Sequence, residues 1–434
     1  MSLSLSSLPS ALEPLVGRWV RPAKEEESIA GVQPHVVVEP GNEQEVAAVL
    51  AFADKEGLRV LIRGGGTQLG LGSPPTGGDI LLSTTRLNTI VEHVPHDLVV
   101  TVQAGLPLAT LQAALQHSNQ WLALDPDLAP EATIGGIVAT NATGPRRLRY
   151  GGVRDQILGL RVVLADGTIA KGGGKVVKNV AGYDLPKLFT GALGTLGVIV
   201  SATFRLYPLP RASQTVHITA SAVQPLCDLA VRILGSTLVP TIIDVLGDTA
   251  HTNMYTMAVR FEMGQEAVEA QTATLRAMAA EHGETIEATH LLEGEAEAHF
   301  WSHTAHTGGV IAATHTALTL KASVLPTEVA HWLTSVEQVC QQQQIHATWH
   351  AHAGHGLIFV HLSGDDTTLV STVQELRQAA LRLRGSLVIT DAPPSITQQV
   401  DVWGPVPAFE VMRTLKAHFD PHTTLNPGRF VGGI

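Results

Sequence analysis

At 434 residues the chain is long enough for two or three domains, each with its own core. A net charge of −11 and an aromatic content of 4% argue against nucleic-acid binding, which needs basic surface and stacking platforms. The two cysteines, Cys227 and Cys340, argue against a disulfide framework and against a four-thiolate iron–sulfur cluster, and they suit a reducing cytoplasm.

In chain order, "HVVVE" (His35 to Glu39) predicts a strand. "EQEVAAVLAFADKEG" predicts a helix with Val46, Val49, Leu50 and Ala53 on one face and a glycine stop. Its apolar run Val46 to Ala53 is too short to span a bilayer, so no direct membrane insertion is expected. "LRVLIR" is a second strand and runs into "RGGGTQLG", Arg63 to Gly70. "ILLS", "TIVEHV" and "LVVTVQAG" read as further strands, and "PLATLQAALQHSN" as a helix that opens on proline. From Ala132 to Gly197, glycine-rich loops interrupt apolar segments. Within this stretch "ILGLRVVLADGTIAKGG" predicts a hairpin turning at Asp166–Gly167.

Beyond Arg211 glycine thins and longer helices appear. Helices are predicted near Val223 to Leu234, at Gln265 to His282, at Thr327 to Gln343 and at Asp366 to Arg384, between strands such as "TVHITA", "LTLKASV" and "GLIFVHL". Two β-α-β-β-α-β halves predict an α+β domain with a mainly antiparallel sheet and helices on one face. The "PPS" at Pro393 to Ser395 marks a linker, which gives domains at 1–212, 213–395 and a returning C-terminal segment at 396–434.

The glycines carry the chemistry. Gly64, Gly66 and Gly70 miss the G-x-G-x-x-G dinucleotide spacing, and the prolines that follow forbid a helix there. "GGGKVV" fails as a P-loop because valine stands where the magnesium-binding hydroxyl belongs. Successive backbone N–H groups in a turn nevertheless form a nest for anionic oxygen. "RGGGTQ", "ATIGGIVATNATG" and "GALGTLGVIV" are three such segments in one half-chain. Each alone reads as a tight turn; together they suggest an elongated ligand with a diphosphate.

The run "VLIRGGGTQLG…VTVQAG…DPDLAPEATIGGIVATNATGPRRLRYGGVRDQILGLRVVLADGT…VKNVAGYDLPKLFTGALGTLGVI" closely resembles the FAD-binding domain of the p-cresol methylhydroxylase/vanillyl-alcohol oxidase family, over about Pro34 to Pro210. The resemblance implies FAD held between two α+β subdomains, followed by an α+β cap domain. Carried over by residue, Arg63, Gly64, Gly65, Gly66, Thr67 and Gln68 would meet the diphosphate. Pro130, Ala132, Thr133, Gly135, Gly136, Thr140, Asn141 and Gly144 would line the middle, and Gly197, Val198 and Ile199 the adenine end. Some relatives attach flavin through a histidine near the first loop; Thr67–Gln68 stands here, so non-covalent FAD is expected.

In catalytic members a segment like "HAGDGNLH" supplies a metal- and substrate-binding cluster. This chain reads "HAGHGLIF", so His355 replaces the acid, Leu357 the asparagine and Phe359 the last histidine. Leu193 stands where many catalytic relatives carry glutamate. With the closing "LNPGRF", these departures resemble the E-type flavin subunits of bacterial glycolate oxidases. That branch implies a complex with a catalytic flavin D-type subunit and an iron–sulfur F-type subunit, acting on a small 2-hydroxy acid. The expected location is cytoplasmic, with any contact to the inner membrane made through a partner. A stand-alone FAD-dependent D-2-hydroxy-acid dehydrogenase and a non-catalytic flavin subunit remain the alternatives.

"HATWHAHAGHG" brings together His346, His350, His352 and His355, with the first three on one face of a strand. No carboxylate is near in sequence, so the reading is a remnant of the family cluster without a metal, and His352 is the candidate base for a hydroxyl proton. "PRRLRYGGVRD" concentrates Arg146, Arg147, Arg149 and Arg154, either as a solvated loop or as a site for an acidic partner or the substrate carboxylate.

Overall fold

The computed structural model describes residues 7–126, 130–176, 182–251, 254–281, 286–307 and 316–434. The chain divides into two compact units. One comprises Met1–Thr143, Gly151–Leu209 and Pro405–Ile434, the other Gly144–Tyr150 and Pro210–Gly404. The arginine-bearing segment 144–150 thus belongs with the second unit, although the sequence reading sets the division at 212/213 and 395/396.

The first unit has two layered subdomains. In one, strands Val20–Pro22, Val36–Val38, Ile80–Ser83 and Val60–Arg63 lie side by side in that order, the last three parallel. Val36–Val38 and Ile80–Ser83 are buried throughout, as parallel strands covered on both faces must be. The covering helix Glu43–Glu56 buries Val46, Val49, Leu50 and Ala53. The Asn42 side chain caps its start by accepting from Glu45 N, and Gly57 at φ 67° ends it. A second helix, Leu8–Val16, buries Leu8, Leu12 and Val16 in the same core. The sequence reading does not foresee it, because its apolar spacing is short and two prolines flank or interrupt it.

In the other subdomain, strands Ile90–Val94, Val99–Gln103, Val198–Arg205, Ile157–Val163 and Ile169–Gly173 form an antiparallel sheet. The last two make the expected hairpin. Helices Leu108–Gln116 and Ile134–Thr140 pack on it through Leu111, Leu115, Ile134, Ile137 and Val138. "TIGGIVAT" is therefore a short helix and not a loop, since its apolar residues recur at helical spacing.

In the second unit eight strands make one antiparallel sheet: Ile286–Glu293, Ala212–Ala220, Tyr255–Met263, Ile242–Asp248, His346–His352, Leu357–Gly364, Thr316–Ser323 and Ser386–Asp391. Each half runs β-α-β-β-α-β, and the halves join where Ile242–Asp248 pairs with His346–His352. Helices Val223–Leu234, Gln265–Ala280, Val329–Gln343 and Asp366–Arg382 bury their apolar faces in one core on one side. A fifth helix, Gly294–Thr307, departs from the expected one-sided arrangement. Its Glu297 accepts from Ser213 Oγ at 2.9 Å and Thr215 Oγ1 at 2.6 Å, side chains that alternate with the core residues Val216 and Ile218. It therefore lies on the opposite sheet face.

Glu27, 7% exposed, locks the entry of the first unit. Its carboxylate accepts both Arg21 guanidinium nitrogens at 2.7 Å, Lys24 N at 2.9 Å and Arg63 Nη2 at 2.9 Å. The Arg21 hydrogen bonds, with help from Lys24 and Arg63, hold the Glu27 carboxyl well below the usual carboxylate range. A depressed native pKa adds stability above the unfolded value that is lost as pH falls through the native one. Glu27→Gln should therefore cost about 1–3 kcal/mol at neutral pH, and the gap to wild type should close as pH drops below about 4. Urea unfolding across that range measures both.

Candidate functional site

A cleft opens within the first unit. Its walls come from the turn after Val60–Arg63 (Gly64 to Leu69), from Thr133 and the Ile134–Thr140 helix, and from the 193–199 segment. All three glycine-rich segments singled out in the sequence thus meet in one place.

The turn is packed as closely as its glycines allow. A Cβ on residue 65 would lie 1.9 Å from the Glu131 carbonyl oxygen, and Gly66 has φ 76°. The Gly65 N–H donates to Thr133 Oγ1 at 3.3 Å. The amides of Gly66, Thr67 and Gln68 have no main-chain acceptor among the described residues, and the buried Gln68 Oε1 has no donor. A curved row of unclaimed N–H groups beside an orphaned acceptor fits an anionic group flanked by donors, as the diphosphate and sugar of a dinucleotide provide.

Other expected residues have different duties. Arg63 turns to Glu27, and the exposed Pro130 is absent from the wall. The carbonyl of buried Ala132 accepts from Leu108 N at 2.9 Å. Asn141, at φ 50°, ends the Ile134–Thr140 helix. Gly144 lies in the second unit. Thr140 reaches the wall, but its hydroxyl donates back to Gly136 O at 2.8 Å.

The wall also contains Leu193, from the third glycine-rich segment, and residues that the sequence reading did not assign to it: Ile29, Thr84, Asn426 and Arg429. Asn426 Oδ1 accepts from Ile62 N at 2.9 Å, and its Nδ2 donates to Leu193 O at 2.6 Å. Leu193 sits in the left-handed region at φ 51°, a conformation that costs a leucine about 1–2 kcal/mol. The only sequence signal for this bridge was "LNPGRF", which carries no spacing rule of its own.

Residues 34–173 match the FAD binding domain family, and residues 201–389 with 403–430 match the C-terminal domain of FAD linked oxidases. A D-lactate dehydrogenase from Archaeoglobus fulgidus is 31% identical, over 91% of each chain. The chain belongs to the FAD-linked oxidases. This FAD-linked oxidase is also 29% identical to glycolate oxidase subunit GlcD of Bacillus subtilis, over 91% of this chain and 88% of that one. It is 39% identical to glycolate oxidase subunit GlcE of Escherichia coli over 181 residues, which are 42% of this chain and 51% of GlcE. In fold it is similar to p-cresol methylhydroxylase (TM-score 0.76, 15% identity, 98% of this chain and 96% of that one). The 4-ethylphenol oxidase from Gulosibacter chungangensis is similar at TM-score 0.73 and 16% identity, with the same coverage. The cofactor of the present chain is FAD, an acceptor of hydride or single electrons when bound.

A second group of polar side chains lies on the face of the second unit's sheet opposite its apolar core. His346, His350 and His352 share that face, as alternation requires, while His355 sits in the following turn. Asp244 and Asp248 reach them from a strand about a hundred residues earlier: His352 Nδ1 is 2.8 Å from Asp244 Oδ1, and His346 Nε2 is 2.6 Å from Asp248 Oδ1. Sequence separation hid both carboxylates. Phe359 stacks on His350 with ring centroids 4.9 Å apart. Among the described residues no three His, Cys, Asp or Glu side chains converge as metal ligands. Burial pushes the Asp244 carboxyl up to about 7 and the imidazoles of His350, His352 and His355 down to about 3, so these rings are uncharged at neutral pH. The basic side chains at this face are Lys321, whose pKa burial and then Arg147 lower, and Arg147 itself.

Gly65→Ala tests the packing of the turn. Its Cβ must displace main chain, and overpacking costs of order 1–3 kcal/mol, so FAD affinity should fall roughly tenfold. Flavin fluorescence during titration of the apoprotein measures it.

Proposed function

We propose that this chain is the E-type flavin subunit of a glycolate oxidase (glycolate dehydrogenase) complex. It holds FAD non-covalently and supports oxidation of glycolate, and of D-lactate, to the 2-oxo acid. A catalytic flavin D-type subunit and an iron–sulfur F-type subunit complete the complex, and electrons pass to the latter. The observation that carries this reading is the rebuilt cap cluster. Where catalytic relatives present an acid and a terminal histidine, this sheet presents His355 in the turn and Phe359 stacked on His350. The partial match to GlcE points the same way. With two cysteines in the chain, iron–sulfur clusters require another subunit. No described helix is long and apolar enough to cross a membrane. The proposed location is cytoplasmic, with contact to the inner membrane through a partner.

A specific observation favours a second reading, a stand-alone D-2-hydroxy-acid dehydrogenase. When ionised Asp244 accepts from Nδ1–H, His352 presents Nε2 as a lone pair able to take a hydroxyl proton; hydride acceptance is the chemistry that bound FAD would supply. Lys321 has no hydrogen-bond or ion-pair partner among the described residues, and with Arg147 it suits a substrate carboxylate.

Anaerobic mixing separates the two. The purified chain should keep its flavin absorbance with glycolate or D-lactate, whereas the complex co-purified from its native cell should lose it. Rapid bleaching of the isolated chain would overturn the accessory role. In that event Lys321→Met should raise KM roughly tenfold with a smaller change in kcat.

A further inference from the structure

Arg429 is 6% exposed, and it is the one charged side chain in the wall of the cleft among the described residues. Its guanidinium donates to three carbonyl oxygens of the loop that follows the glycine turn. Nη2 reaches Leu69 O at 2.8 Å and Leu71 O at 2.6 Å, and Nη1 reaches Ser73 O at 3.2 Å. Of the five guanidinium hydrogens, Nε–H and one on Nη1 meet no acceptor among the described residues. No described carboxylate pairs with this cation, although the protein carries an excess of acids. The other arginine beside the turn, Arg63, has a carboxylate partner in Glu27, which it shares with Arg21.

Burial lowers the Arg429 pKa to about 10, so the group stays charged at neutral pH. A buried charge without a counter-ion is costly, and proteins keep one where an anion completes it. The neighbouring amides of Gly66, Thr67 and Gln68 already form a concave row suited to anionic oxygen. We propose that Arg429 is the counter-charge of the FAD diphosphate, so that the C-terminal segment supplies the charge and the glycine turn supplies the shape. The proposal rests on the turn as the diphosphate cradle and adds the residue that neutralises it.

The competing role is purely structural: Arg429 pins the 69–73 loop through its three carbonyl contacts. Charge separates the two, because R429K keeps the cation and loses the planar fan, whereas R429Q loses the cation. Apoprotein is titrated with FAD at low and high salt, and its melting temperature is recorded without cofactor. R429Q should weaken FAD binding roughly tenfold or more and flatten its salt dependence, while R429K stays within about threefold of wild type. R429K as weak as R429Q, or wild-type salt dependence in R429Q, would overturn the proposal. Should R429Q not fold, R429K decides alone: affinity within about threefold of wild type supports the counter-charge, and a larger loss overturns it. Wild-type apoprotein that takes up no FAD would overturn the cofactor assignment and this proposal with it.

Discussion

The buried ammonium of Lys416 holds the first unit closed. Its three hydrogens go to Asp420 Oδ2 at 2.5 Å, Thr195 O at 2.8 Å and Leu425 O at 3.1 Å, so no donor is left unsatisfied. Asp420 in turn accepts from the amides of Thr424 and Leu425. Both side chains are at most 6% exposed. Removing one partner of such a pair typically costs about 3–5 kcal/mol, because the other remains as an uncompensated charge. This knot fixes the path of the segment carrying Asn426 and Arg429. Through Asn426, the end of one sheet's strand is tied to the left-handed turn that leads into the other sheet. The cleft keeps its width because one short stretch of chain grips both of its sides.

The second unit shows how a few alternating residues set a functional surface. Odd positions of His346–His352 feed Ala347, Trp349 and Ala351 into the core, so even positions present histidines on the other face. The same rule puts Lys321 and Phe359 on that face, adjacent in register. A shift of one residue would exchange the two sets, and so the apolar core enforces the polar site.

Much of the fold was legible in the sequence because its signals are local. The Glu43–Glu56 helix carries its cap, its stripe and its stop within fifteen residues, and the Asp166–Gly167 hairpin carries its own turn. The doubled β-α-β-β-α-β order was legible for the same reason. The helices Leu8–Val16 and Phe409–Phe419 were not, since one holds an internal proline and the other starts from Ala408 at φ 61° with no side-chain cap. The face taken by Gly294–Thr307 was hidden because Glu297 finds its hydroxyl partners more than eighty residues away. The site divides along the same line. Gly64 to Gln68, Thr133 and Gly135 announce themselves by glycine density. Asp244, Asn426 and Arg429 act on partners more than a hundred residues distant; "LNPGRF" marks the last two as a motif, but nothing in the local sequence says what they touch.

Chain order gives the clamp a bearing on biosynthesis. The first unit is interrupted after Leu209 and resumes only at Pro405. At about 5–20 residues per second, a ribosome spends roughly ten to forty seconds making the intervening unit. Throughout that interval the nascent chain has both glycine turns and lacks Lys416, Asn426 and Arg429. A finished cofactor cradle thus requires the segment Pro405–Ile434, and flavin loading reports that this segment has been made and docked.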